Sequence, residues 1–123
     1  MERASVERRR GRRAHVDAPL LIRREDIQET ASREEVAKNV SLAGAYFETV
    51  EGHPYVNNDV VLVSVSIPEA NVREFPFTRL AGRGRVVRIQ EIEPWDPSGR
   101  KRFGIALEFG HDVTALSAIP SRG

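Results

Sequence analysis

The sequence contains no cysteine, which excludes a disulfide scaffold and any metal site built on thiolates. The three histidines, His15, His53 and His111, are scattered without paired spacing, so we predict no metal site and no cofactor. A nucleophile elbow, an HExxH zinc motif, a Walker loop and a GxGxxG turn are all missing from the sequence. These absences favour a protein that is not an enzyme and has no catalytic residues.

Long hydrophobic runs are also missing. The apolar run at Leu20 to Ile22 is far shorter than the core of a signal peptide, and no later stretch approaches the length that spans a bilayer. The sequence therefore predicts a cytoplasmic protein without stable membrane insertion.

Lysine is scarce, since only Lys38 and Lys101 accompany 17 arginines. Arginine's planar fork grips phosphates bidentately and stacks on bases, although GC-rich coding also enriches arginine. Six arginines and two glutamates fall in the first thirteen residues, a net charge of +4, whereas the remainder carries −3. A protein that coats duplex DNA usually spreads its cations over a broad face, so this local cluster predicts no DNA partner.

The 123 residues are enough for one core, and 40% hydrophobic with 30% charged residues is typical of a folded soluble chain. We predict a flexible basic arm over 1–18, a barrel over 19–112, and a short tail over 113–123 with one helical turn. Within the longest strand, Gly82 and Gly84 predict a bend or bulge, and Trp95 is expected to be a packing residue near the following hairpin. Period-two alternation and turn signals predict an all-β, six-stranded antiparallel barrel with strands near 20–24, 36–40, 45–50, 61–67, 79–92 and 103–109.

Two short motifs resemble those of the PilZ domain family. Arg9 and Arg13 match its RxxxR motif, and Asn39, Ser41 and Gly44 match its [D/N]xSxxG motif. The segments 84–89 and 104–109 resemble two further family strands, in the same order along the chain. The resemblance implies a small six-stranded antiparallel β-barrel that binds the bacterial second messenger cyclic di-GMP.

The resemblance implies that the arginines hold this ligand, which is a dianion with two guanines. A guanidinium can donate to the O6 and N7 atoms of guanine, stack on the base or clamp a phosphate, and we assign these tasks to Arg9 and Arg13. Arg8 precedes the RxxxR motif, where an arginine resembles the pattern of family members that bind an intercalated ligand dimer.

The second motif supplies the polar turn of the expected site. Asn39 offers an amide to the N1 and N2 side of guanine, and Ser41 offers a hydroxyl to a base or phosphate oxygen. Gly44 admits close backbone approach, and glycine also permits a positive φ. The expected ligand-binding residues are therefore Arg8, Arg9, Arg13, Asn39, Ser41 and Gly44.

Three functions remain open at this level. The first is a single-domain cyclic di-GMP receptor that relays the signal to a separate, unidentified protein effector by ordering its arm. The second is a PilZ-like protein-interaction adaptor that binds no nucleotide, although the arginines and the polar turn argue against it. The third is a single-stranded nucleic-acid binder, which is disfavoured because only eight aromatic residues serve both stacking and packing.

Overall fold

The computed structural model describes residues 14–25 and 32–116. The three arginines that we assign to the ligand, Arg8, Arg9 and Arg13, lie outside these ranges. A six-residue 3-10 helix spans Glu69–Glu74. The strands are β1 (Ala14–Arg24), β2 (Arg33–Ser41), β3 (Gly44–Val50), β4 (Val60–Ser66), β5 (Arg79–Ile92), β6 (Arg102–Phe109) and β7 (Thr114–Leu116).

The first six strands close into an antiparallel barrel. Their order is β4, β1, β2, β3, β6 and β5, and β4 pairs back with β5 from Val60 opposite Arg85 to Ser66 opposite Arg79. The short strand β7 adds to β5. The predicted six-stranded antiparallel barrel is confirmed.

The barrel core follows from the alternation of side chains along each strand. In β4, Val61, Val63 and Val65 point inward and are buried, whereas Val60 and Ser66 are exposed. Burying one face of each strand removes apolar surface from water and supplies most of the driving force for folding. The largest fully buried side chains are Phe47, Leu20, Ile22, Leu80, Ile105 and Leu107.

Tyr55 fills the place where two neighbouring strands separate. β2 and β3 pair only between Ala37 and Ser41 on one side and Gly44 and Phe47 on the other. Beyond that point the Tyr55 ring meets Phe47 edge-on, with 5.3 Å between ring centroids. Its hydroxyl donates a 2.9 Å hydrogen bond to Glu35 of β2, so one side chain contacts both strands.

The polar end of Tyr55 lies in a partly buried network. Arg33 Nε donates to the Tyr55 hydroxyl at 3.2 Å and lies 3.8 Å from the Glu35 carboxylate. Burial raises the pKa of Tyr55, and the neighbouring Glu35 charge raises it further, so the hydroxyl stays protonated and able to donate.

The first strand and the tail differ from the sequence expectation. β1 begins at Ala14 rather than near Leu20, because Val16 and Ala18 are buried and extend the inward face. In the described part of the tail, Thr114–Leu116 forms a strand, which corrects the prediction of a helical turn there. β7 continues along the edge of β5 where β6 has ended, so the backbone groups of Arg79 to Ala81 gain partners.

A bulge at Gly82 and Gly84 is not found, and Trp95 lies outside the barrel core. The pairing of β4 with β5 continues without a register shift through Gly82 and Gly84, and the irregularity of β5 lies between Val86 and Arg88. Gly82 instead allows a close approach, because a Cβ there would lie 2.7 Å from the Cα of Val113. Trp95 is 51% exposed and does not pack into the core.

Gly82→Ala should lower the melting temperature more than Gly52→Ala. Both glycines have positive φ, +156° and +96°, so both substitutions introduce backbone strain of about 1 kcal/mol. Only Gly82 also meets backbone atoms, and its substitution should loosen β7. Thermal unfolding by circular dichroism compares the two, and faster hydrogen exchange is expected at the Thr78 amide, which donates to Leu116 at 2.8 Å. Equal melting temperatures would contradict this role of Gly82.

Candidate functional site

A register shift in β2 determines the position of the candidate site. Ala37 and Val40 are both buried although three positions separate them, so the strand carries one extra residue on its outer side. The shift lies between Ala37 and Asn39 in the pairing with β3. As a result Lys38 and Asn39 both lie on the outer face of the barrel.

From this shift onward the three motif residues share one face. Asn39 and Ser41 are two positions apart in β2, and Gly44 lies opposite Ser41 as the first residue of β3. The structure therefore brings together Asn39, Ser41 and Gly44. Gly44 has the extended backbone of a strand, whereas the positive φ values of the described residues occur at Gly52, Asn58, Gly82 and Gly99.

Asn39 carries a buried acceptor that the barrel leaves unused. Its Oδ1 atom is shielded from solvent and has no hydrogen-bond partner within the described part of the chain. A buried polar atom without a partner typically costs about 1–3 kcal/mol. An N–H donor from a ligand would satisfy this oxygen.

The turn between β2 and β3 is held on both sides. Ser41 is 5% exposed, and its Oγ accepts a 3.0 Å hydrogen bond from the Ala43 amide. The Ala43 carbonyl accepts a 2.9 Å hydrogen bond from the Phe109 amide at the end of β6. The orientation of the turn is thus fixed by its own side chain and by a neighbouring strand.

Beyond the motif, the same outer face continues across two more strands. Tyr46 lies opposite Asn39, Ala106 of β6 lies opposite Tyr46, and Arg88 of β5 lies opposite Ala106. Arg88 is exposed and forms no ion pair among the described residues. The outer row is therefore an amide, a phenol, a methyl group and a guanidinium.

Sequence reasoning did not assign Tyr46 and Arg88 to the site. Side chains alternate along β3, and the neighbours Ala45 and Phe47 point inward. The outward position of Tyr46 was therefore predictable from the sequence. The outward position of Arg88 was not predictable, because the irregularity between Val86 and Arg88 breaks the alternation on which such a prediction depends.

Tyr46 is held close to the surface of the barrel. Its phenol end lies over Gly104, where a Cβ would be 2.8 Å from Cε1 and Cζ of the ring and would also meet the hydroxyl oxygen. Beside it, Glu48 and Arg102 form a 2.6 Å ion pair. Burial raises the pKa of Tyr46, and the Glu48 charge adds to this, so the phenol is neutral.

The start of β1 leads to the same part of the barrel. Ala14 pairs with Val40, and His15 pairs with Asn39. Residue 13 is bonded to Ala14, so the segment that precedes β1 joins the barrel beside the second motif.

Other kinds of site find no support in the described ranges. Residues 14–25 and 32–116 contain no group of histidine and acidic side chains arranged to hold a metal ion. Within the same part of the chain, no helix is long and apolar enough to cross a membrane.

Comparison with known proteins decides the family. The model of the PilZ domain family matches residues 7–119, which is most of the chain. The chain belongs to the PilZ domain family. This range includes both the RxxxR and the NxSxxG segments. Among curated proteins no significant match was found.

Two solved structures have similar folds. The Bacillus subtilis inhibitor of motility, MotI/DgrA, has a TM-score of 0.57 and 18% identity, covering 96% of this chain and 46% of its own. The PilZ domain of Escherichia coli YcgR with cyclic di-GMP has a TM-score of 0.58 and 12% identity, covering 85% and 79%. This PilZ chain thus spans less than half of MotI/DgrA. At such identities the likeness shows the fold.

Asn39→Ala should leave the free energy of unfolding unchanged or raise it, because it removes an acceptor that has no partner in the described structure. Ser41→Ala should lower it by about 1 kcal/mol, because it removes the hydrogen bond to the Ala43 amide. Urea unfolding without ligand measures both variants. An Asn39→Ala loss as large as that of Ser41→Ala would show that the amide supports the fold.

Proposed function

We propose that this PilZ domain is a receptor for cyclic di-GMP and not an enzyme, acting in the bacterial cytoplasm. The ligand would bind on the outer face of β2 and β3, between Asn39, Ser41 and Gly44 on the barrel and Arg8, Arg9 and Arg13 on the preceding segment. Family membership and the YcgR domain solved with this nucleotide support the choice of ligand.

The unused oxygen of Asn39 is the observation that carries the proposal. Guanine presents two adjacent donors, N1–H and the N2 amino group, along one edge. The Asn39 Oδ1 atom is an acceptor without a partner in the described structure, on the same face as Ser41 and Gly44. Adenine has an acceptor at N1 and only its N6 amino group as a donor on that edge, so it offers this oxygen fewer donors than guanine does.

Chain connectivity supports the participation of the arginines. Arg13 is bonded to Ala14, which pairs with Val40 next to Asn39 and Ser41. Arg9 lies five positions before Ala14, so its Cα can lie at most about 18 Å away. Both guanidinium groups can therefore reach a nucleotide beside Asn39. They would clamp a phosphate or stack on a base, and Arg8 would favour an intercalated ligand dimer.

Binding of this kind would convert ligand concentration into a change of the N-terminal segment. The first thirteen residues carry a net charge of +4, and the ligand supplies two negative charges beside the barrel. Holding the segment against the barrel costs conformational entropy, which the charge-assisted hydrogen bonds offset. We propose that a separate protein effector recognises the ordered segment.

A titration of the purified protein with cyclic di-GMP, GTP and a short RNA tests the function. We expect binding of cyclic di-GMP alone, with two ligands per chain if an intercalated dimer forms. No binding of any of the three would favour the adaptor function, and a preference for RNA would favour a nucleic-acid binder.

Arg9→Ala and Arg13→Ala should each abolish measurable binding of cyclic di-GMP in isothermal titration calorimetry. The melting temperature should stay nearly unchanged, because the buried core of the described barrel begins at Val16. Arg100→Ala is the matched control, since Arg100 is exposed in the loop between β5 and β6, at the end of β6 remote from Gly44. If both N-terminal variants keep the wild-type affinity, the assignment of these arginines is wrong.

A further inference from the structure

We propose that Tyr46 forms a second part of the ligand site, a surface on which one purine base of the cyclic dinucleotide stacks. This inference rests on the proposed function and assigns a role to a residue outside both motifs.

The position of Tyr46 is set by the pairing of β2 with β3. Tyr46 lies directly opposite Asn39 on the outer face, and side chains in such a pair have Cβ atoms about 5 Å apart. On its other side, Tyr46 lies opposite Ala106, whose short, buried side chain leaves room for the phenol ring. A base whose edge meets the Asn39 amide would thus have its ring plane within reach of the phenol.

The ring is placed before any ligand arrives. Gly104 leaves room for the phenol end of Tyr46, and the ion pair between Glu48 and Arg102 lies beside it. The side chain is half-buried, so part of its surface remains accessible. Because the rotamer is already restricted by these neighbours, stacking would cost little conformational entropy.

Asn39 and Tyr46 would then have different tasks. The Asn39 acceptor favours guanine over adenine, because guanine offers two neighbouring donor groups on one edge and adenine offers only its N6 amino group. A stacking ring contacts the π-face that every base has, so it adds affinity without selecting the base. Loss of the ring should weaken binding of a guanine dinucleotide without removing the preference for guanine over adenine.

A purely structural role would place Tyr46 over Gly104 only to cover the backbone of β6. Such a role affects the melting temperature, whereas a stacking role also affects ligand affinity and the fluorescence of an aromatic side chain at this position. The two roles therefore require different measurements on the same variants.

Calorimetry with cyclic di-GMP and cyclic di-AMP compares three variants with the wild type. Tyr46→Leu should weaken cyclic di-GMP binding by about tenfold, because stacking on one base is lost, and should keep the preference for cyclic di-GMP over cyclic di-AMP. Tyr46→Phe keeps the ring and should bind within about twofold of the wild type. Trp95→Leu removes an exposed aromatic from the loop before β6, outside the strands that carry Asn39 and Tyr46, and should bind like the wild type.

A fluorescence experiment gives a direct readout of stacking. The sequence has a single tryptophan, so Trp95→Phe combined with Tyr46→Trp places the only indole at position 46. Saturation with cyclic di-GMP should quench its emission, because a stacked guanine is in van der Waals contact with the indole. The single variant Trp95→Phe confirms by calorimetry that the background binds normally.

The outcomes separate the two proposals. If the wild type binds no cyclic di-GMP, the proposed function fails and the stacking role fails with it. If the wild type binds, and Tyr46→Leu retains full affinity or the indole at position 46 is not quenched at saturation, only the stacking role is overturned. A tenfold loss that Tyr46→Phe restores, together with quenching, establishes it.

Discussion

One extra residue in β2 determines where the polar face of this barrel lies. Without the shift between Ala37 and Asn39, a strict alternation that keeps Ala37 inward would turn Asn39 into the core and Val40 toward solvent. Each reversal would be costly, since a buried amide needs partners and an exposed valine loses its burial. The irregularity therefore allows Val40 to pack in the core while Asn39 and Ser41 lie on the outer face.

The remaining parts of the candidate site depend on that arrangement. The turn that follows Ser41 is tied to β6 through Phe109, and β6 presents Gly104 and Ala106 to the outer face. These two small residues leave room for Tyr46. Beneath them, Ile105 and Leu107 are fully buried, so β6 supports the core with one face and shapes the candidate site with the other.

The sequence was sufficient to predict the barrel and to predict that Asn39, Ser41 and Gly44 lie together. Alternating valines in β4 and the turn residues between strands identified the architecture, because period-two burial is a local property. Tertiary contacts determined the rest. The strand at Thr114 to Leu116 forms because β5 extends past β6 and offers unpaired backbone, which no local pattern in that segment indicates. Likewise, the outward position of Arg88 depends on an irregularity that is visible only in the pairing of β5 with β6.

The turn after Ser41 is braced from two directions, by the serine hydroxyl at the Ala43 amide and by the Phe109 amide at the Ala43 carbonyl. A turn held in this way has little conformational freedom, so in the proposed receptor the ligand concentration that gives half-saturation would be set mainly by the N-terminal segment. Its length, its charge and the spacing of its arginines could then change over evolutionary time without remodelling the core. The threshold of the response and the stability of the barrel would be separately adjustable properties of one small domain.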